Sequence, residues 1–149
     1  MFNEGTIYGT SKATKDGKNR LIMPSYTGAA KEDQLVIVRY NNFFKIMRKD
    51  VLDKQIKVIE DEIIELIKRG SISQVDALQK YKDSIMMDVV KTARVDGQGR
   101  IALTGVYDED TKFTLVGAKD GVYVMNDEAY ESYKEEVRSV SESVKKVMA

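Results

Sequence analysis

Two carboxylates and two guanidiniums at one repeated spacing are the residues best placed for chemistry: Asp16 with Arg20, and Asp96 with Arg100. Each pair spans a stretch able to turn, Asp16-Gly17-Lys18-Asn19-Arg20 and Asp96-Gly97-Gln98-Gly99-Arg100, and an apolar run follows at once, Leu21-Ile22-Met23 and Ile101-Ala102-Leu103. The copies lie 80 positions apart, and a fixed repeat of this kind marks duplicated architecture. Three chemistries compete for these residues. A carboxylate dyad of Asp16 and Asp96 needs two acids sharing a proton, yet each sits close in sequence to a cation that holds it ionised. Charge-assisted pairing makes Asp16 and Asp96 structural turn residues and Arg20 and Arg100 their partners. Nucleic-acid contact is the third: an arginine fork can take phosphate or read guanine, and lysines nearby can take phosphate as point charges.

Local charge separates the two arginines. Lys12, Lys15, Lys18 and Arg20 crowd the first turn with only Asp16 opposing them, which favours DNA for Arg20 with Lys15 and Lys18 in support. Around Arg100 the basic support is thin, and pairing and DNA weigh equally. Lys12 is the weaker phosphate candidate of the first turn, and Arg94 precedes the second turn much as Ala13 or Thr14 precedes the first. For each of these, a solvated surface position is the ordinary alternative.

Other sites are disfavoured. The 149 residues contain no cysteine and no histidine, which removes thiolate nucleophiles, the usual zinc sites and histidine triads. Glycine-rich phosphate loops and nucleophile elbows are absent. Asp108-Glu109-Asp110 lacks the alternate-position ligands of a calcium loop and reads as a solvated turn. No enzyme activity, metal, cofactor or small-molecule substrate is expected. Formal net charge is zero, so charge alone suggests no polyanion partner, although residues 1–50 carry nine Lys or Arg against five Asp or Glu.

The elements that position these residues follow from patterning. Thr6-Ile7-Tyr8 followed by Thr10 to Thr14, and Arg20 to Met23, read as strands flanking the first turn, and Pro24 ends the second. Leu35 to Tyr40 and Phe43 to Met47 flank Asn41-Asn42 as a hairpin. From Asp50, Leu52, Ile56, Ile59, Ile63 and Leu66 recur at helical spacing; Arg69-Gly70 breaks the pattern. Ser73 with Asp76 suggests a capping box for a second helix with Val75, Leu78, Tyr81 and Ile85 on one face. Strands then repeat: Met87 to Val95, Arg100 to Leu103, and a hairpin of Phe113 to Val116 with Val122 to Met125 around Lys119-Asp120-Gly121. A last helix, capped by Asn126, carries Tyr130, Tyr133, Val137, Val140, Val144 and Val147 in a three-four rhythm, and could pack along the helix at 50–68. A single proline and 42% apolar content suit one folded domain. No apolar run approaches the roughly 20 residues of a membrane helix, and the chain opens without a secretory signal, so a cytoplasmic location is expected.

With both turns, their flanking strands and the closing strand pair and helix in hand, the chain resembles the MraZ family, built from tandem AbrB/SpoVT-like swapped-hairpin units. The resemblance rests on Asp16/Arg20 and Asp96/Arg100, on the run to Pro24, and on Leu115-Val116-Gly117 through Tyr133. It implies an α+β fold in which two β units form a pseudo-twofold β-barrel: residues 6–50 as the first unit, 51–86 as a helical insertion, 87–126 as the second unit and 127–149 as a C-terminal helix. It also implies a nucleoid-associated transcriptional regulator, assembled as a homo-oligomeric ring, whose arginines meet double-stranded DNA repeats ahead of division and cell-wall genes. Two departures are visible. The second copy lacks the proline after its apolar run and has a shorter gap to Phe113, which predicts a loop there. The first turn starts late, which predicts that residues 1–5 are an extension. The rival from the same residues is an oligomeric interaction protein of this fold without DNA binding.

Overall fold

The computed structural model describes all residues, 1–149. Eight strands and three α-helices follow one another as β1 (Thr10–Thr14), β2 (Arg20–Ile22), β3 (Gln34–Tyr40), β4 (Phe43–Arg48), α1 (Lys49–Lys68), α2 (Ile72–Met87), β5 (Val89–Arg94), β6 (Arg100–Ala102), β7 (Lys112–Ala118), β8 (Gly121–Met125) and α3 (Asp127–Met148). The fold is α+β. Six strands make one antiparallel sheet in the order β1-β7-β8-β4-β3-β5, and β2 with β6 makes a separate two-stranded ribbon. The expected closed barrel is not what the hydrogen bonds make: the large sheet keeps two edges, β1 and β5, because β2 and β6 spend their ladder on each other.

The repeat governs the topology. β1 pairs with β7 and β5 pairs with β3, so the first strand of each copy is completed by the hairpin of the other. Neither half owns a finished sheet, and the two share one core. Residues 11–23 and 91–103 alternate between exposed and buried in the same sequence, position by position. Leu21 and Ile101 face each other at the centre of the ribbon, fully buried beneath it with Leu35, Ile37, Phe113 and Leu115. Truncating either to alanine costs about 2–5 kcal/mol by lost burial and residual cavity.

Hairpin turns form where expected. Asn41 (φ 57) and Asp120 (φ 60) take the left-handed backbone that two-residue hairpin loops require, which Asn and Asp tolerate through short polar side chains. Beyond Leu103 the second copy has a loop where the first has a short 3-10 turn at Ser25–Thr27.

Residues 1–5 are not an extension. Phe2 is fully buried in the shared core, its N–H donates to Asp33 Oδ2 at 2.6 Å, and Gly5 N–H donates to Asp120 Oδ1 at 2.7 Å. Residues 1–5 are thus packed against the shared core and the second hairpin. The apolar residue that does this, Phe2, lies between Met1 and the polar Asn3-Glu4 and carries no periodic signal.

In the insertion, Ile63 and Leu66 of α1 are buried and Ile56 and Ile59 half-buried, and α1 packs against α2. The expected capping box at Ser73 does not form: Ser71 is the N-cap, with no side-chain bond, and Asp76 instead accepts from Lys80 Nζ at 2.9 Å. The cap at Asn126 does form, its side chain accepting from Ala129 N–H at 2.8 Å. α3 does not lie along α1. It packs through its first turns on β7 and β8, where Phe43, Met125 and Ala129 are buried among Tyr123, Tyr130 and Tyr133. No helix is long and apolar enough to cross a membrane.

Candidate nucleic-acid interface

Each turn is closed by its aspartate. Asp16 Oδ1 accepts from Lys18 and Arg20 N–H, both at 2.9 Å, and Asp96 Oδ1 accepts from Gln98 and Arg100 N–H at the same distance. The other carboxylate oxygen accepts from the arginine Nε, at 2.7 Å in the first turn and 2.9 Å in the second. Spacing four residues apart is what allows one carboxylate to hold both the backbone and the side chain of its arginine. Backbone N–H donors, the arginine's foremost, hold both carboxyl groups below the usual aspartate range, and the guanidinium adds to the effect. Both aspartates are therefore ionised turn residues, and no dyad sharing a proton exists.

The position before each arginine is left-handed, Asn19 (φ 58) and Gly99 (φ 76), and these two residues stitch the turns together. Asn19 C=O accepts from Leu103 N–H at 2.8 Å, and Gly99 C=O accepts from Met23 N–H at 2.8 Å. Between them runs the β2–β6 ladder, with Arg20 opposite Ala102 and Ile22 opposite Arg100. Because strand side chains alternate, Leu21 and Ile101 enter the core while Arg20, Ile22, Arg100 and Ala102 share the outward face. Arg20 and Arg100 are then diagonal neighbours, with Cα atoms roughly 7–8 Å apart by sheet geometry. Arg100 Nη1 also approaches Asp16 Oδ2 at 3.6 Å. The arginine side chains are 29% and 20% exposed, neither sealed in nor free to sweep.

The remaining candidates divide. Lys18 is exposed in the first turn, beside this face. Lys12 is exposed on β1 and Arg94 on β5, which form opposite edges of the large sheet, and Arg94 is paired with Glu32 at 3.5 Å. Lys15 departs from expectation. It is 6% exposed, and its Nζ donates to Val106 C=O at 3.2 Å and Tyr107 C=O at 2.6 Å while lying 5.2 Å from the centre of the Phe113 ring. Burial pushes its pKa down, against the partial support of Asp108 and Asp110. An ammonium committed inward cannot take phosphate, so Lys15 leaves the set. The signal was present in the repeat: the matching residue of the second copy is Val95, an inward position.

Lys31 belongs near the site and was missed. Its Cδ lies 4.0 Å from the Cβ position of Gly97 in the second turn, giving that turn a cation the sequence repeat does not supply. No periodicity marks it, because it comes from the connection between β2 and β3. Asp108 and Asp110 accept from Gly105 N–H at 2.6 Å and Asn126 Nδ2 at 3.3 Å, shaping the loop before β7. The arrangement as a whole is a small outward ribbon with two pinned guanidiniums, an apolar Ile22 opposite Arg100 on the same face, and Lys18 and Lys31 at the turns. Comparison with protein-family models and with curated proteins finds no match.

Proposed function

We propose that the protein is a DNA-binding transcriptional regulator of the MraZ type, with Arg20 and Arg100 on the β2–β6 ribbon as its principal contacts and Lys18, Lys31, Lys12 and Arg94 as flanking cations. The single observation that carries this reading is the antiparallel pairing of β2 with β6, which sets two identically held arginines on one outward face. An arginine whose Nε is fixed by a carboxylate loses little side-chain freedom on binding, and its Nη atoms remain to meet phosphate or a guanine edge. The exchanged pairings β1–β7 and β5–β3 support the swapped-hairpin, AbrB-like form of this fold. A chain of zero net charge makes few phosphate contacts per copy, so several copies in a homo-oligomeric ring supply the rest by multivalency on repeated sites, with a nucleoid location to match.

The test is an anisotropy titration of the full chain against labelled duplex DNA from the segment upstream of its own gene, repeated over salt. Affinity should fall steeply with salt, and the Arg20→Ala/Arg100→Ala chain should lose at least about tenfold while keeping its circular dichroism, each lost base contact being worth roughly 1–3 kcal/mol. Equal affinity of the two chains sinks the assignment.

A second reading, an oligomeric interaction protein of the same fold without DNA binding, is favoured by one observation. Asp16 and Asp96 face the same ribbon as the arginines and offset their charge. Salt-independent or absent DNA binding selects it.

A further inference from the structure

Most of α3 leaves the body of the protein with an apolar row uncovered. Tyr130 and Tyr133 belong to the packed first turns, but Val137, Val140, Val144 and Val147 continue the same spacing of three and four and are 47%, 57%, 46% and 86% exposed. That is the spacing an a/d seam of a coiled coil needs. Ser141 and Ser143 flank it, small enough to let a second helix come close. An isolated helix gains nothing from such a row, and a monomer seldom leaves one bare.

Charge indicates which helix fits. Residues 127–136 of α3 carry Asp127, Glu128, Glu131, Glu135 and Glu136 against Lys134 alone, whereas the second half carries Arg138, Lys145 and Lys146 against Glu142. A parallel copy would set acidic end on acidic end. In the antiparallel register that seats Val137 on Val147 and Val140 on Val144, the Lys145–Lys146 end of each helix falls within about one turn of Glu135 and Glu136 of the other, with Arg138 the one like charge there, and the two helix dipoles oppose. The apolar row runs on at Tyr133 into the aromatic cluster of Phe43, Tyr40 and Tyr123, so the seam has a packed base to start from.

We propose that α3 is a self-recognition element, pairing antiparallel with α3 of a second copy of this chain through Val137, Val140, Val144 and Val147. The surface is distinct from the β2–β6 ribbon, and the inference stands whether or not the protein binds DNA.

Sedimentation equilibrium of the full chain over a concentration series tests it. The native chain should self-associate, and Val140→Glu/Val144→Glu should lower the association at least tenfold with unchanged circular dichroism and melting temperature. Val140→Ser/Val144→Ser provides the same test without added charge. The chain has no cysteine, so Met148→Cys gives a single spin-label site for orientation. Antiparallel helices place the two labels about 20–30 Å apart at 1.5 Å per residue of offset, and parallel ones about 10 Å. A strictly monomeric native chain, an assembly indifferent to both double variants, or a short label distance would each overturn the proposal.

Discussion

Arg100 reaches across the repeat boundary: its Nη1 lies 3.6 Å from Oδ2 of Asp16, the carboxylate that closes the other turn. Asp16 thus serves both arginines and Asp96 serves its own. Replacing Asp16 with asparagine should lower the melting temperature more than the same change at Asp96, although the two turns are built alike. Thermal unfolding of the two single variants and the double variant measures this, and equal deficits would show that the cross-repeat contact carries no weight.

The same carboxylates set an acid limit. Their pKa values are lowered in the folded state, chiefly by the N–H groups of Arg20 and Arg100, so the folded form binds fewer protons than the unfolded chain near the ordinary value of 3.8. Stability from these groups is complete above that value and is lost as pH falls through the folded one. Urea midpoints taken between about pH 6 and pH 2 should fall less for Asp16→Asn/Asp96→Asn than for the native chain, each normalised to its neutral value. Parallel curves contradict the account.

Lys15 titrates in the opposite direction. Burial lowers its pKa from 10.5, so the unfolded chain holds the proton more tightly, and stability should rise with pH between the folded value and 10.5. Lys15→Met keeps the length and removes the buried charge, at the expense of the bonds to Val106 and Tyr107. Its stability at pH 7 should stay within about 1 kcal/mol of the native chain, loss of a typical hydrogen bond being of that size, and its alkaline rise should vanish. DNA affinity should not change, which separates a buried cation from a phosphate contact.

Lys15 also shows where the sequence could be read and where it could not. The Asp–Arg repeat, both hairpins, the α1 seam and the α3 cap follow from local spacing, and local spacing is what the chain displays. A lysine in a cluster of cations beside a turn looks basic and exposed until its repeat mate, Val95, reveals an inward position. The strand exchange and the separate ribbon are contacts between distant residues, with no local signature to betray an open sheet rather than a closed barrel. Phe2 and Lys31 were silent for the same reason, each reaching its place by a long connection rather than by period.

Lys18 and Lys31 stand at the two turns as exposed cations. If they meet phosphate, Lys18→Ala and Lys31→Ala should each reduce the slope of log affinity against log salt by about 1 and weaken all DNA sequences alike. Arg20→Ala should also flatten discrimination between sequences. A set of variants with unchanged slopes would move the contact surface elsewhere.

Gly117 lies where the chain before β1 crosses β7. Its N–H donates to Gly9 C=O at 2.8 Å, and a Cβ there would collide with the backbone carbonyl of Ile7. Backbone cannot rotate aside as a side chain can. Gly117→Ala should therefore cost about 1–3 kcal/mol, the usual range for overpacking, seen as a lower urea midpoint with unchanged slope. Gly17→Ala, with nothing within 4 Å of its Cβ position, is the control.

Phe2 decides whether the N-terminal segment is part of the fold. Its ring is fully buried in the core shared by both repeats, and the segment is tied at Asn3 N–H to Thr27 C=O (2.7 Å), at Ile7 N–H to Ala118 C=O (3.0 Å), and by Asp120 N–H to Gly5 C=O (2.7 Å). These bonds run to the first copy and to the second hairpin, so the segment clamps two halves that already exchange strands. Phe2→Ala should cost about 3–5 kcal/mol, as for other buried aromatics, while Phe2→Leu, which keeps most of the buried area, should cost less than half of that. An appended sequence that one copy merely carries would show neither loss, and a native urea midpoint for Phe2→Ala would return residues 1–5 to that status.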